Sequence, residues 1–419
     1  MKFIHSADIH LDSPLLDLER YEGAPVAEIR GATRRALENL VTLCLDEQAV
    51  FLLIAGDLYD GGWRDYNTGL FFAAQMRRLR DAGIHVYVIR GNHDAASAVA
   101  KQLRLPDNVT ELPTGKPGTV LLEEFEVAIH GQGFARREAP DDLAVGYPEP
   151  HAGYVNIGLL HTSADGREGH DTYAPCTPAG LAAKHYEYWA LGHVHQREVL
   201  SEKPWIVFPG NLQGRHARET GGKGATVVTV DGVTITSVEH RDLDVVRWVV
   251  CNVDTSAATS AWDVVDLLEV ELRAEVERAE GRTLAVRVRL VGATAAHEKL
   301  VGDREQLVGE FRQIAADVGG AAVWVEKVET ATTHVGRTRG AAPSEEETGT
   351  LLTYVAEART EEGADAALAK ELAELARRLP PELRDGPESL GLDNPRRVAA
   401  LAVEAEDEVL ARLLGGGAA

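Results

Sequence analysis

The chain has 419 residues, of which 44% are hydrophobic and 26% charged, a composition ordinary for a globular protein of two or three domains. Its 66 acidic and 43 basic residues give a net charge of −23, which argues against a protein that coats nucleic acid nonspecifically. No apolar stretch reaches the roughly 20 residues that span a bilayer. The N-terminus lacks the apolar run of a signal peptide, and three scattered cysteines argue against a disulfide framework. We therefore expect a cytoplasmic protein without a membrane partner.

Five short apolar runs, at 3–4, 50–54, 86–89, 155–160 and 188–191, predict buried strands of an α/β sheet. A polar motif follows each run directly. In such folds ligands bind beyond the carboxyl ends of the strands, so we expect these motifs to meet in one place. They are Asp8-x-His10, Gly56-Asp57-Leu58-Tyr59-Asp60, Gly91-Asn92-His93-Asp94, His161 and Gly192-His193-Val194-His195.

Helical periodicity between these runs predicts helices over about 31–48 and 67–82. After residue 195 the pattern changes to short strands at 205–208, 225–230 and 233–238, which we expect to form a second sheet that closes the domain. Residues 1–245 would thus form the first domain.

The remainder of the chain divides by its pattern into three parts. Residues 246–333 predict a small β-α-β-α-β domain without a motif of recognisable chemistry, and the polar segment 334–348 is typical of a linker. Residues 349–419 predict a helical tail, which ends in a helix over about 395–414. Residues 341–419 carry 17 acidic and 8 basic residues, so the tail is the part least suited to DNA.

The five motifs together have the composition of a centre for two divalent metal ions. Asp57 is the natural bridging ligand, Asp8 and His10 suit one ion, and Asn92 and His161 suit the other. His193 and His195 lie two residues apart and can serve one ion each. Mixed imidazole, carboxylate and amide ligands favour Mn²⁺, Fe²⁺ or Zn²⁺ over Mg²⁺. His93 is left free to act as a general acid.

Each motif alone has a plainer interpretation. Asp8-x-His10 occurs often by chance, the Asp57 and Asn92 motifs are also typical of turns, and a single His161 at a strand end is more often structural than a ligand. The conjunction of all five in order, each after a strand, favours the metal site.

This ordered set resembles the calcineurin-like metallophosphoesterase superfamily. The resemblance implies an α/β fold with two sheets in a sandwich flanked by helices, here followed by a small α/β capping domain and a helical tail. It implies one ion at Asp8, His10, Asp57 and His195, and a second at Asp57, Asn92, His161 and His193. His93 would lie beside the scissile phosphate.

Longer segments, such as VFLLIAGDLYDGG, YWALGHVHQREVL and WIVFPGNLQGRH, resemble the DNA repair exonucleases of the SbcD and YhaO type over about residues 1–245. The resemblance implies a Mn²⁺-dependent nuclease on DNA ends. It also implies a helical tail that binds the coiled coil of an SMC-like ATPase and a homodimer formed through helices such as 67–82. The face of that helix with Phe71, Phe72 and Met76 is explained equally by core packing, which we favour.

Four further residues have expected supporting roles. Asp60 stands where a subset of these nucleases has a histidine, and together with Asp94 we expect it to support the ligands. Asn211 and Arg215 are candidate substrate contacts, although a solvated basic turn explains Arg215 as well. Two alternatives stay open: a phosphoesterase for small phosphodiesters or phosphomonoesters, and a mainly structural subunit that joins an ATPase to DNA.

Overall fold

The computed structural model describes residues 1–13, 28–29, 31–60, 66–96, 104–164, 173–335, 364–378, 391–392, 394, 396–403 and 405. Nearly all of the predicted linker and much of the predicted tail lie outside these residues. The chain forms two compact units. One comprises Met1–Val249 with Ala279–Val286, and the other comprises Val250–Arg278 with Arg287–Ala419.

The first unit is built from short strands connected by helices and loops. Its helices are α1 (Ala32–Asp46), α2 (Tyr66–Asp81), α3 (Asn92–Ala96) and α4 (Pro178–Ala182). Its strands are β1 (Lys2–Ser6), β2 (Phe51–Ala55), β3 (His85–Ile89), β4 (Val109–Glu111), β5 (Gly118–Leu122), β6 (Val127–Gln132), β7 (Val155–His161), β8 (Tyr188–Gly192), β9 (Glu198–Glu202), β10 (Trp205–Phe208), β11 (Gly224–Asp231) and β12 (Thr234–Asp242).

These strands form two mixed sheets of six. The first has the order β12-β11-β1-β2-β3-β4, and the second has the order β5-β6-β7-β8-β10-β9. Strands β1 to β4 are parallel, as are β6, β7 and β8, so within each sheet their carboxyl ends share one edge. The predicted fold of two sheets flanked by helices is confirmed.

The apolar runs form strands because both of their faces are covered. One face of β1 and β2 packs with the second sheet, where Phe3 and Phe51 lie in one buried cluster with Ile157 and Tyr188. The other face packs on helices: Ile4 and Leu52 lie in a second buried cluster with Leu37 of α1 and residues of α2. Phe72 and Met76 are fully buried there, so the core interpretation of this face of α2 is confirmed for those two residues.

The sheet assignment differs from the expectation in one respect. The hairpin β11–β12 was expected to form a second sheet, but it extends the first one, with β11 antiparallel to β1. The five strands that precede the motifs are therefore divided between two sheets, with β7 and β8 in the second. The burial pattern of a strand shows which faces are covered but not which neighbour it pairs with, so the sequence could not distinguish the two arrangements.

The second unit and its flanking strands follow the predicted order. The elements are β13 (Val246–Asp254), α5 (Ala261–Arg278), β14 (Thr283–Thr294), α6 (His297–Gly302), α7 (Arg304–Gly319) and β15 (Val323–His334), and the strands form one sheet in the order β13-β14-β15. The second helix of the predicted β-α-β-α-β pattern is divided into α6 and α7 at Asp303, which has a non-helical backbone.

Within the predicted tail, helices are present at Ala364–Ala376 (α8) and at 396–403. The rest of the helix predicted over 395–414 is outside the described residues, apart from residue 405. None of the helices among the described residues combines the length and apolarity that a membrane span requires.

Candidate metal centre

The polar motifs lie where the strands of the two sheets end. Asp8 and His10 follow β1, Asp57 and Asp60 follow β2, and Asn92 to Asp94 begin α3 just after β3. From the second sheet, His161 is the last residue of β7, and His193 and His195 follow β8. Both sheets therefore contribute side chains to one site.

The backbone at this edge adopts an uncommon conformation. Asp8, His10, Asp57 and His193 all have positive φ, with values of 50°, 44°, 52° and 102°. Such residues cost of order 1–3 kcal/mol each and persist only where the surroundings impose them. The neighbouring chains also approach closely, since a Cβ on Gly192 would overlap the carbonyl oxygen of Ala55.

Potential ligand atoms gather in three groups, and one of them, formed by His10, Asp60 and His93, shares His10 with another group. The other two contain the predicted ligands. One comprises Asp8, His10 and His195, and the other comprises Asp57, His161 and His193. Within each group the atoms lie within 4.8 Å of one another.

Two further oxygen atoms extend these groups. In the second group Asn92 Oδ1 lies 3.0 Å from His161 Nε2. Asp57 Oδ2 lies 3.5 Å from Nε2 of His161 and 3.9 Å from Nε2 of His10, so this one carboxylate oxygen is near both groups.

The tautomers of the histidines fit metal ligation. His161 Nδ1 donates to the carbonyl oxygen of Ala55 at 2.9 Å, so its Nε2 offers only a lone pair, which faces Asn92 Oδ1. In the first group His10 Nδ1 donates to Asp60 at 2.8 Å and His195 Nδ1 donates to Glu219 at 2.6 Å. Their two Nε2 atoms then face each other at 3.3 Å.

Lone pairs directed at one another repel unless a cation lies between them. Imidazoles whose second nitrogen donates to a carboxylate or carbonyl group are the usual metal-binding arrangement. The residues present therefore fit divalent metal ions in both groups.

The charges of the site favour a bound cation as well. Burial lowers the pKa of His10 to about 4 and that of His161 to about 3, so both imidazoles are neutral, as metal ligands must be. Burial and the nearby charge of Asp57 raise the pKa of Asp8 well above its usual value. Burial and Asp57 likewise raise the pKa of Asp94 to about 7. A concentration of buried carboxylates such as this is stabilised by bound cations.

His93 and Asp60 stand beside the first group. Asp60 Oδ1 lies 2.8 Å from His10 Nδ1 and 3.1 Å from His93 Nδ1, so one carboxylate orients two imidazoles. Burial lowers the pKa of His93, but its hydrogen bond to Asp60 and the charges of Asp57 and Asp60 raise it by more, and the net pKa is raised. The side chain of His93 is 37% exposed, against 1% for that of His10, and so it is accessible to a substrate.

Asp94 and Asn211 have a different environment from His93 and Asp60. Asp94 accepts hydrogen bonds from the backbone N–H groups of Leu58, Tyr59 and Gly91, which holds the loop after β2 against α3. Asn211 has no exposed surface, and its amide group donates to Gln213 and Glu219. This burial speaks against a direct contact of Asn211 with substrate, which stays a prediction.

Arg215 lies at the site itself. Its guanidinium is 3.7 Å from Asp60 Oδ2 and 3.3 Å from Glu219 Oε1. The pKa of Arg215 is raised: burial lowers it, but Glu219 and Asp60 raise it by more. Arg215 is a fixed cation beside His93 and Asp60, which excludes the alternative of a solvated turn.

Three residues near the ligands were missed in the sequence. Glu219 binds His195. The ring of Phe134 packs edge-on against that of His161, with centroids 5.5 Å apart. The ring of Tyr173 packs against that of His193, with centroids 5.4 Å apart. No motif marks the two aromatic residues. For Glu219, the spacing of four residues from Arg215 was the available signal.

Comparison with known proteins identifies the two parts of the chain. The family model of the calcineurin-like phosphoesterases matches residues 1–197. The model of the middle domain of metallophosphoesterase YhaO matches residues 248–333, so the similarity extends beyond residue 245, where the sequence alone had shown only a similar layout. The uncharacterized metallophosphoesterase YhaO of Bacillus subtilis is 35% identical over 296 residues, which cover 70% of this chain and 72% of that protein.

More distant relatives are two proteins named DNA double-strand break repair protein Mre11. The Methanopyrus kandleri protein is 25% identical over 50% of this chain and 48% of its own length. The Sulfurisphaera tokodaii protein is 24% identical over 61% of this chain and 66% of its own length. Among solved structures, TT1561 of Thermus thermophilus aligns with 18% identity over 50% of this chain and 89% of its own, with a TM-score of 0.30. The chain belongs to the calcineurin-like metallophosphoesterases of the YhaO kind, which are hydrolases that use divalent metal ions.

Proposed function

We propose that this protein is a Mn²⁺-dependent phosphodiesterase that degrades DNA from its ends and also cuts single-stranded DNA, in DNA repair. The observation that carries the proposal is the position of Asp57 Oδ2 near the lone pairs of both His10 and His161, one from each ligand group. A carboxylate between two groups of imidazole and carboxylate ligands is the arrangement that holds a pair of metal ions for phosphoryl chemistry.

Each residue has a defined role in this proposal. Asp8, His10, Asp57 and His195 hold one ion, and Asp57, Asn92, His161 and His193 hold the other. When bound, the two ions activate water and neutralise charge on the phosphate. The remaining polar side chains at the site act on the substrate or orient the groups that do.

His93 protonates the leaving oxygen, and Asp60 keeps its imidazole charged and oriented. Arg215 contributes positive charge beside His93, where the phosphate of a nucleic acid is placed. The overall charge of −23 does not oppose this assignment, because two divalent ions and Arg215 make the site itself cationic.

Two features support DNA as the substrate. The distant relatives bear the name DNA double-strand break repair protein, and the similarity spans at least half of this chain. The chain also continues well beyond the domain that carries the site, which a phosphoesterase for small molecules does not require.

The proposed partners are a second copy of the chain and an SMC-like ATPase. On α2, Tyr66 and Leu70 are 47% and 50% exposed and lie four residues apart on one face, which suits an isologous contact. The helical tail, including α8, is the proposed site for the coiled coil of the ATPase.

The test compares two substrates that differ in their leaving group. On duplex and single-stranded DNA the leaving alkoxide needs a proton, whereas bis-p-nitrophenyl phosphate releases a nitrophenolate that does not. We expect H93A to lose about 10²–10⁴-fold on DNA and much less on the nitrophenyl ester, whereas D57A loses activity on both. Equal losses of H93A on both substrates would exclude His93 as the acid. Activity on the ester without any on DNA would favour a phosphoesterase for small substrates.

A further inference from the structure

Glu219 is a buried carboxylate that lies outside every recognised motif, yet it contacts the centre directly. It is 6% exposed, its two oxygens accept four hydrogen bonds, and His216 Nε2 lies 3.6 Å from Oε1. Oε1 lies 2.6 Å from His195 Nδ1 and 3.3 Å from the guanidinium of Arg215. Oε2 accepts the amide of Asn211 at 2.9 Å and the backbone N–H of Arg215 at 2.8 Å.

The contact with His195 determines which nitrogen of that ring is available to a metal ion. A carboxylate oxygen and an imidazole nitrogen 2.6 Å apart share a proton, which here is carried on Nδ1. The lone pair is then on Nε2, directed toward His10 and the first ligand group. Without Glu219 either nitrogen could carry the proton, and the ring would be held less firmly.

The same segment also holds the backbone of His195. Its carbonyl oxygen accepts the ammonium group of Lys223 at 3.0 Å and the N–H of Asn211 at 3.2 Å. Both the ring and the main chain of His195 are therefore fixed by residues 211–223. His10 is held in a comparable way, because its N–H donates to the carbonyl oxygen of Asp57 and its Nδ1 to Asp60.

We propose that Glu219 is a positioning residue that sets the tautomer of His195 for metal binding and at the same time holds the guanidinium of Arg215 at the phosphate side of the site. This inference rests on the proposed function for the role of Arg215, and on the metal-ligand geometry alone for His195. Glu219 connects two parts of the centre: a ligand of one ion and the cation beside His93.

The main experiment measures Mn²⁺ binding to the full chain by isothermal titration calorimetry. We expect E219A to lower the affinity for one of the two ions about 10- to 100-fold. The affinity of E219Q should lie between those of E219A and the wild type, because its amide oxygen still accepts a hydrogen bond from Nδ1. The matched control is E326Q. Glu326 is also 6% exposed and binds Arg287 through both oxygens, but it lies in the second unit. Wild-type affinity for both ions in folded E219A and E219Q would overturn the proposal.

A second measurement does not depend on any Glu219 variant folding. In protein labelled with ¹⁵N-histidine, with H195Q used to assign the resonances, the imidazole nitrogens of metal-free wild type should show the proton of His195 on Nδ1. A His195 protonated on Nε2 would overturn the proposal. Neither measurement uses DNA, so a failure of the nuclease proposal would leave both results interpretable.

Discussion

The substitution Asp60→Asn tests how one carboxylate supports two imidazoles. It removes a charge and keeps the shape of the side chain, which accepts from His10 at 2.8 Å and contacts His93 at 3.1 Å. Loss of a carboxylate behind a metal-binding histidine typically costs 10–100-fold. At 1.36 kcal/mol for each factor of ten this is about 1.4–2.7 kcal/mol of transition-state stabilisation. Because Asp60 serves two rings, we expect a loss of about 100-fold in kcat/KM.

The loss should depend on pH in a defined direction. The hydrogen bond and charge of Asp60 raise the pKa of His93, so the wild type keeps the imidazolium form to a higher pH. In D60N that pKa falls, and the acid loses its proton at a lower pH. The activity of D60N relative to the wild type should therefore be lower at pH 8 than at pH 6.

The assay is Mn²⁺-dependent degradation of end-labelled duplex DNA by wild type, D60N, H93A and the double variant. Asp81, whose side chain is 69% exposed, gives D81N as the control for loss of a surface charge. Part of the D60N effect acts through His93, so D60N should cost less in the H93A background than in the wild type. An equal cost in both backgrounds, or a wild-type pH profile for D60N, would refute this role of Asp60.

Further outcomes follow from the core, the buried histidines, the ligands and the exposed face of α2. Leu53→Ala in the core between the sheets should lower the free energy of unfolding by about 2–5 kcal/mol in urea, whereas exposed Leu121→Ala should change it by less than about 0.5 kcal/mol. Burial lowers the pKa of His5 to about 3, so only the unfolded chain gains a proton there as pH falls below 6.5. Stability therefore falls toward acid, and His5→Gln should reduce that slope by about 1.4 kcal/mol per pH unit between pH 6 and 4. Mn²⁺ at 100 times its Kd should stabilise the fold by about 2.7 kcal/mol in thermal melts, and Asp57→Asn should largely abolish the effect. Leu70→Glu should give a monomer in light scattering if α2 forms the dimer contact, and an unchanged mass would exclude this face.

The sequence predicted the strands of the first unit that lead to the site, because burial on both faces leaves continuous apolar runs, and it predicted the first two helices from their periodicity. Strand β7, for example, was expected at 155–160 and extends over Val155–His161. It did not predict β4, β5, β6 or β9. The partly exposed residues of β4, β5 and β9 give a weaker pattern, and the buried run of β6 is interrupted by polar residues. The pairing of β11 with β1 could not be predicted either, because it depends on contacts between residues more than 200 positions apart in the chain.

For the site, the sequence identified which residues would gather but not what holds them. Asp8, Asp57 and His161 lie next to strand ends, and their position follows from the motif alone. The support from Glu219 and the burial of Asn211 depend on the path of the loop that carries both residues. A loop of this kind has no periodic pattern from which its path can be read.

The division of the ligands between two sheets has a mechanical consequence. Each group joins residues that follow β1 or β2 to residues at the ends of β7 or β8, so ions bound in both groups would connect the two sheets. The affinity for metal ions then depends on the distance between the two sheets. A substitution in the core, for instance at Phe3 or Phe51, whose rings stack with centroids 4.9 Å apart, would therefore change the affinity for metal ions although it alters no ligand. Conversely, loading the ions should slow amide exchange along both rims of the sandwich.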